Sequence, residues 1–189
     1  IIYTHCGGFG SGGPYSGLQA YDDVIQAATG PTTLLPRADG NARPRYLPSL
    51  IADKVAGLHA AHATLAAIIH RMRTGKGQHV EVPMFEAFAS FMMKEHLDAN
   101  TFDPPNGDAG YSRQVDPDRQ PFQTADVTDL NDVIDDPQLR ETGYFERSEH
   151  PSEGGVFQMR DPNRFSAWEP GPLPHAPHLG EHNEGAVEG

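Results

Sequence analysis

Cysteine is nearly absent, basic residues are scarce and no long apolar run occurs. A single thiol, Cys6, in 189 residues excludes an internal disulfide and fits a reducing, cytoplasmic compartment. No apolar stretch approaches the ~20 residues needed to cross a bilayer. No charged, apolar, small-residue leader is present, so no membrane association is expected. Lys and Arg number 14 against 26 Asp and Glu, a formal net charge of −12. That balance makes nucleic acid and anionic lipid poor partners. A small-molecule site needing only a few local cations is unaffected by it. The length allows one domain with at most a small appendage. The chain opens Ile1-Ile2-Tyr3 rather than on Met, and residue 1 is not expected to be a natural translation start.

The richest stretch is residues 50–84. Apolar Ile51, Val55, Leu58, Leu65, Ile69 and Met72 fall at steps of three and four, with His62 in the one gap, the seam of a helix packed on a core. Alanines between them allow close approach by a second element. Thr74-Gly75-Lys76-Gly77 stops the helix, supplying a Gly for a left-handed cap and basic side chains near the negative end of the dipole. Residues 78–84 then alternate, with Val80, Val82 and Met84 on one side, as a short strand does. Residues 85–97 form another helix with Phe85, Phe88, Met92 and Leu97 on its apolar face, Met92 and Met93 being core packing. Helix, tight turn, strand and helix make an α/β layer. Asp53 sits in the first turn of the long helix. It is either an acid complementing the dipole or a carboxylate at the positive helix end, available as a nucleophile.

Upstream, residues 1–6 are β-branched and aromatic, read as a buried strand, and run into Gly7-Gly8-Phe9-Gly10-Ser11-Gly12-Gly13. Gly8, Gly10 and Gly13 spell a dinucleotide fingerprint, but Pro14, Tyr15, Ser16 and Gly17 favour a turn where that fingerprint needs a helix. A short amphipathic helix over residues 21–28 ends at Thr29-Gly30-Pro31. Residues 32–49 read as a loop carrying Arg37, Arg43 and Arg45, which suit phosphate or carboxylate as well as plain solvation. Gly75-Lys76-Gly77 lacks the upstream glycine and the following Ser or Thr of a P-loop. His59 and His62 lack a third ligand and read as core-edge residues. His175, His178 and His182 have helical spacing for a metal, but Pro174 and Pro177 interrupt any helix there. From Asp98 onward proline, glycine and acids dominate.

Three groups of residues resemble the family III CoA-transferases, which include formyl-CoA transferase, carnitine CoA-transferase and the α-methylacyl-CoA racemase branch. One is Gly8-Phe9-Gly10 with Gly13-Pro14-Tyr15, where Gly7 replaces the usual Ser. The second is Ala52-Asp53-Lys54-Val55-Ala56-Gly57-Leu58. The third is Arg73-Thr74-Gly75-Lys76-Gly77-Gln78 with the strand after it. Similarity continues through Gly110-Tyr111-Ser112-Arg113, Arg119-Gln120-Pro121-Phe122 and Thr124-Ala125-Asp126. Beyond Val127 it resumes with a later part of the family pattern, through Asp136-Pro137-Gln138-Leu139-Arg140 and the closing Pro177-His178-Leu179-Gly180-Glu181-His182. An N-terminal nucleotide-binding stretch and a middle domain with a glycine-rich loop have no counterpart here.

The resemblance implies part of a Rossmann-like large domain with an extended C-terminal arm. Residues 1–98 would be a partial core, 99–126 a linker toward an absent small domain, and 127–189 a segment returning to the large domain. It implies CoA transfer between an acyl-CoA and a free carboxylic acid, with coenzyme A as the only cofactor-like group, no metal, and an interlocked homodimer. Asp53 matches the family's catalytic carboxylate. Tyr21 stands where the racemase branch has a proton-carrying His, which favours transferase, since a phenol with a pKa near 10 carries protons poorly at neutral pH. Asp22 matches a neighbouring acidic position, or is simply a helix-start acid. Relatives often place a base just before the tyrosine, where this chain has uncharged Leu18, Gln19 and Ala20, so the CoA contacts are not assignable. The alternatives are α-methylacyl-CoA racemase and a non-catalytic remnant or interaction module.

Overall fold

The computed structural model describes residues 1–118, 129–167, 171, 174, 176, 177 and 181. They fall into two compact units, Ile1–Gln120 and Pro121–Gly189, each described by itself. The resemblance to the family over Arg119 to Asp126, the junction at Val127 and the histidine run at His175, His178 and His182 fall outside the described residues.

In the first unit, strand β1 (Tyr3–Gly7) pairs in parallel with β2 (His79–Pro83), Tyr3 opposite His79 and Gly7 opposite Pro83. A parallel pair needs a crossover, and here it contains three helices: α1 (Asp22–Thr29), α2 (Leu34–Asp39) and α3 (Ile51–Thr74). Helix α4 (Met84–His96) follows β2 directly. The expected parallel α/β layer is present. Gly75 closes α3 in the left-handed region at φ 72°, its N–H donating to the Arg71 carbonyl at 2.8 Å. A side chain there would meet the steric penalty that glycine avoids.

Helix α2 was not expected, because Pro36 and the arginines mark residues 32–49 as loop. Pro36 lies in the first turn of α2, where no intrahelical N–H is lost.

Ile25 of α1, Ala52 and Val55 of α3, and Phe88 and Met92 of α4 form the buried core, with Phe9, Leu34, Ile51, Met84 and Phe85 packed against it. Two burial expectations are corrected. Of the α3 seam, only Ile51 and Val55 join this core; Leu58, Leu65, Ile69 and Met72 are exposed, Met72 by 81%. Alanine instead makes the intimate contacts, with Ala52, Ala56 and Ala67 buried, since a methyl lets a neighbouring backbone come close. Strand β1 is likewise largely exposed, Tyr3 included. The reason is that a two-stranded sheet covered on one face by a helix leaves alternate side chains on the other face open. Thr4 of β1 is tied to Thr64 of α3 by a 2.9 Å hydroxyl pair, whereas Tyr3 and His79 stack in the open at 5.4 Å. Of the α4 face, Leu97 is exposed and Met92 buried.

In the second unit, Asp136 caps helix α5 (Pro137–Glu141), accepting from the Gln138 and Leu139 amides at 2.8 and 3.2 Å. Strand β3 (Phe145–His150) pairs antiparallel with β4 (Gly154–Met159), Phe145 opposite Met159. The two strands form a hairpin.

Candidate active site

Asp22 lies 31 residues before Asp53 in the sequence, and the fold joins the two. Helix α3 begins after Leu50, whose side chain cannot cap, and no side chain of its own segment bonds its first amides. Four N–H groups at any helix start need partners. Here a carboxylate from α1 serves: Asp22 Oδ1 accepts from the Ala52 amide at 2.7 Å and the Asp53 amide at 3.2 Å. Asp22 is 5% exposed. Its Oδ2 accepts from Gln26 Nε2 at 2.6 Å, one helical turn along α1.

Gln26 was missed by sequence reasoning. It is 1% exposed and reads the chain entering α3, donating to the Ser49 carbonyl at 3.1 Å and accepting from the Leu47 amide at 2.9 Å. The only signal was an amide four residues after an acid, beside an apolar Ile25.

Asp53 itself is exposed, and its carboxylate accepts no hydrogen bond among the described residues. The amides of the second and third residues of α3 are thus taken by Asp22 and not by Asp53. The Asp53 oxygens are left to face solvent beside the positive helix end. Tyr21 caps α1 in extended conformation, 75% exposed, and its phenol makes no hydrogen bond among the described residues. The Asp22 carboxylate, bonded to the Asp53 amide and next in the chain to Tyr21, sets these residues at the junction of α1 and α3, with Asp22 buried and the other two exposed.

The glycine cluster abuts this place. A Cβ at Gly8 would lie 2.7 Å from the Cβ of Ala20, so a bare glycine lets the loop pack against the residue before Tyr21. Turns closed by Ser16 and Leu18 amides follow where a nucleotide fold would start its helix. Two carboxylates that sequence reasoning did not single out pin the loop. Glu86 of α4 accepts from the Gly10 amide through both oxygens, at 3.1 and 3.2 Å. Glu81 of β2 accepts from the Ser11 amide at 2.8 Å and its hydroxyl at 2.7 Å.

Those bonds, the Ser11 hydroxyl foremost, hold the Glu81 carboxyl below its ordinary value of 4.5, with His5 and His79 adding a little. A folded-state value below the unfolded one means the anchor is complete above the ordinary value and is lost as pH falls through the lowered one. The Ser11 amide resonance is thus expected to stay constant near neutrality and to titrate only below 4.5. Glu81→Gln should make it flat across that range. A midpoint above the ordinary carboxylate value would refute the anchor.

Of the three loop arginines, Arg45 is paired with Asp39 at 2.6 Å, and this holds the Asp39 carboxyl below its ordinary value. Arg37 donates to the Ala109 carbonyl. Only the Arg43 side chain makes no bond among the described residues. His59 and His62 are exposed rather than core-edge, and no group of three potential metal ligands occurs among the described residues. No described helix is long and apolar enough to cross a membrane.

The sequence profile of CoA-transferase family III matches residues 1–127 and 117–183. Among curated proteins, a succinate–glutarate CoA-transferase of Agrobacterium fabrum is 30% identical over 97 residues, 51% of this chain and 24% of its own length. A formyl-CoA:oxalate CoA-transferase of Streptomyces avermitilis is 39% identical over 87 residues, 46% of this chain and 20% of its own. The matched stretch thus spans about a quarter or less of these relatives. A crystal structure of a CAIB/BAIF family protein from Brucella suis superposes with a TM-score of 0.76 at 19% identity, covering 99% of this chain and 67% of that one. With the profile matched along nearly its whole length, the chain belongs to CoA-transferase family III.

Proposed function

We propose that this chain carries the nucleophile of an enzyme that moves CoA from an acyl-CoA to a free carboxylic acid. The observation that supports it best is Asp53: an exposed carboxylate at the start of α3, unbonded, on a peptide held by Asp22.

Asp53 attacks the thioester carbonyl and the C–S bond breaks, giving an acyl-aspartyl anhydride and CoA thiolate. The thiolate attacks the aspartyl carbonyl, releasing the first acid as its carboxylate and leaving an aspartyl-CoA thioester. The acceptor carboxylate attacks that thioester and frees the thiolate again. Attack on the acceptor's carbonyl then yields the new acyl-CoA and regenerates Asp53. A carboxylate suits this role because its anhydride keeps both carbonyls activated. Charge is conserved at each step and no net proton transfer is needed. CoA is substrate, and the scheme calls for no metal.

The relatives named for succinate, glutarate and oxalate suggest small dicarboxylates as acids. The test is a panel of succinyl-CoA with glutarate and formyl-CoA with oxalate, read by chromatography of the CoA esters. Formation of the acceptor's CoA ester supports the reading; hydrolysis alone refutes it. For residues 1–189 by themselves little or no turnover is expected, since the core (1–98), linker (99–126) and returning segment (127–189) together correspond to part of a Rossmann-like domain and its arm. The working enzyme is read as a cytoplasmic homodimer. The exposed α3 residues Leu58, Leu65, Ile69 and Met72 are of the kind such pairing covers.

Tyr21 separates transfer from racemisation. As a hydrogen-bond donor to the acyl group it contributes about 1 kcal/mol, so Tyr21→Phe should lower turnover about fivefold. Loss of turnover together with loss of solvent-deuterium exchange at the α-carbon would instead make it a proton carrier and the enzyme a racemase.

A further inference from the structure

Asp22 and Gln26 are polar groups shut into the core beside Ile25, which is itself fully buried. Burying a carboxylate and an amide costs free energy unless their hydrogen-bonding capacity is used, and here both are well used. Between them they engage the Leu47 amide, the Ser49 carbonyl, the Ala52 amide and the Asp53 amide. Every contact outside the pair is to backbone. The pair therefore grips the path of the chain from 47 to 53.

We infer that Asp22 and Gln26 form a buried clamp whose task is to position Asp53 for attack, an inference that rests on Asp53 being the nucleophile. Three features distinguish the clamp from a routine helix cap. The capping acid comes from another helix, thirty residues away, whereas N-caps are ordinarily the residue just before the helix. The local candidate, Ser49, has its hydroxyl engaged by Lys54 Nζ at 2.9 Å. The acid directly follows Tyr21 in the chain and binds the amide of Asp53 itself, so one carboxylate ties the start of α1 to the peptide that carries Asp53. With both Asp22 oxygens occupied and the residue buried, it does not reach substrate; it is a positioning residue. Displacing a nucleophile by about 1 Å costs on the order of 100-fold in rate, which is the effect such a clamp prevents.

Two readouts test this. The first is amide hydrogen exchange and needs no substrate. Amides at the first positions of a helix exchange readily unless capped, so protection of Ala52 and Asp53 in the wild-type protein is a signature of Asp22. Asp22→Ala should speed their exchange at least about tenfold while amides in the middle of α3 stay protected. Gln26→Ala should release the Leu47 amide in the same way. Asp22→Asn keeps an acceptor oxygen toward α3 but sets an N–H against Gln26 Nε2, so it should fall between; it also serves if the Ala variant does not fold. The second readout is kinetic, in the full encoded protein with succinyl-CoA and glutarate. Asp22→Asn and Gln26→Ala should lower kcat by about 10–100-fold with KM for succinyl-CoA within about twofold.

Wild-type Ala52 and Asp53 amides that exchange as fast as those of the Asp22→Ala protein would overturn the clamp. So would exchange that responds as expected with kcat unchanged. Asp53→Ala retaining full turnover would instead overturn the nucleophile, and the clamp's catalytic purpose with it, whatever the exchange data show. A rise in KM at constant kcat would also overturn it, assigning the pair to substrate binding.

Discussion

Asp53→Ala is expected to remove turnover, by roughly 10³-fold or more as for other covalent nucleophiles, while CoA binding persists. The prediction follows from which carboxylates near the junction of α1 and α3 are free to react. Asp22 is buried with both oxygens bonded. Asp23 is exposed, and its Oδ1 takes the Val24 amide at 2.9 Å. Asp53 is exposed with no hydrogen bond among the described residues, and it alone stands in the first turn of a 24-residue helix, whose dipole favours an anion there. A carboxylate that attacks a thioester must also be a group whose acyl derivative thiolate will attack in turn. Asp53→Asn keeps the shape and one oxygen but is a far weaker nucleophile, so it should be as inactive as the alanine variant. The full protein incubated with succinyl-CoA and quenched with hydroxylamine should carry a hydroxamate on the peptide containing Asp53. Both variants should lack it. Label on Asp22 or Asp23 instead, or full turnover in Asp53→Ala, would refute the assignment.

Much of the local architecture was legible. The three-four spacing of Ile51, Val55 and Leu58 and the glycine at 75 mark the helix and its end, because periodicity and φ preference are local properties. Alternation at Val80 and Val82 marks β2 for the same reason. Burial was less legible. The α3 pattern shows which face is apolar, whereas Leu65 and Met72 are exposed because only a two-stranded sheet and neighbouring helices lie against the helix. Periodicity reports a face and is silent on what covers it. The candidate site was legible as single residues and not as an arrangement. Asp53 and Tyr21 stand out through resemblance, but the pairing of Asp22 with amides 30 and 31 positions away leaves no mark on spacing. Gln26 is harder still: its partners outside α1 are peptide groups, which every residue has. Glu81 and Glu86 likewise bond backbone amides of the glycine loop, contacts that no side-chain pattern encodes.

Phe88→Ala is the substitution expected to cost the most stability. Phe88 is fully buried on α4 and belongs to the cluster that joins Ile25 of α1 with Ala52 and Val55 of α3. These are the helices that carry Asp22 and Asp53, so one aromatic ring sits beneath both halves of the site. Removing it deletes apolar contact and leaves a cavity that rigid neighbours fill only in part. Truncations of this kind cost about 3–5 kcal/mol, against total stabilities of about 5–15 kcal/mol for ordinary domains. Two of the neighbours, Ile25 and Ala52, have no exposure at all. Collapse is therefore limited, which places the cost toward the upper part of that range. Phe88→Leu keeps most of the volume and should cost less than half as much. Urea denaturation of wild type and both variants measures this, with midpoints compared at constant slope. A loss under about 1 kcal/mol for the alanine variant would show that α4 is not what holds α1 and α3 together. The joint prediction is sharper: if Phe88→Leu folds but loosens the contact between the two helices, the protected amides of Ala52 and Asp53 should exchange faster before the midpoint shifts appreciably, because the bonds from Asp22 depend on that packing.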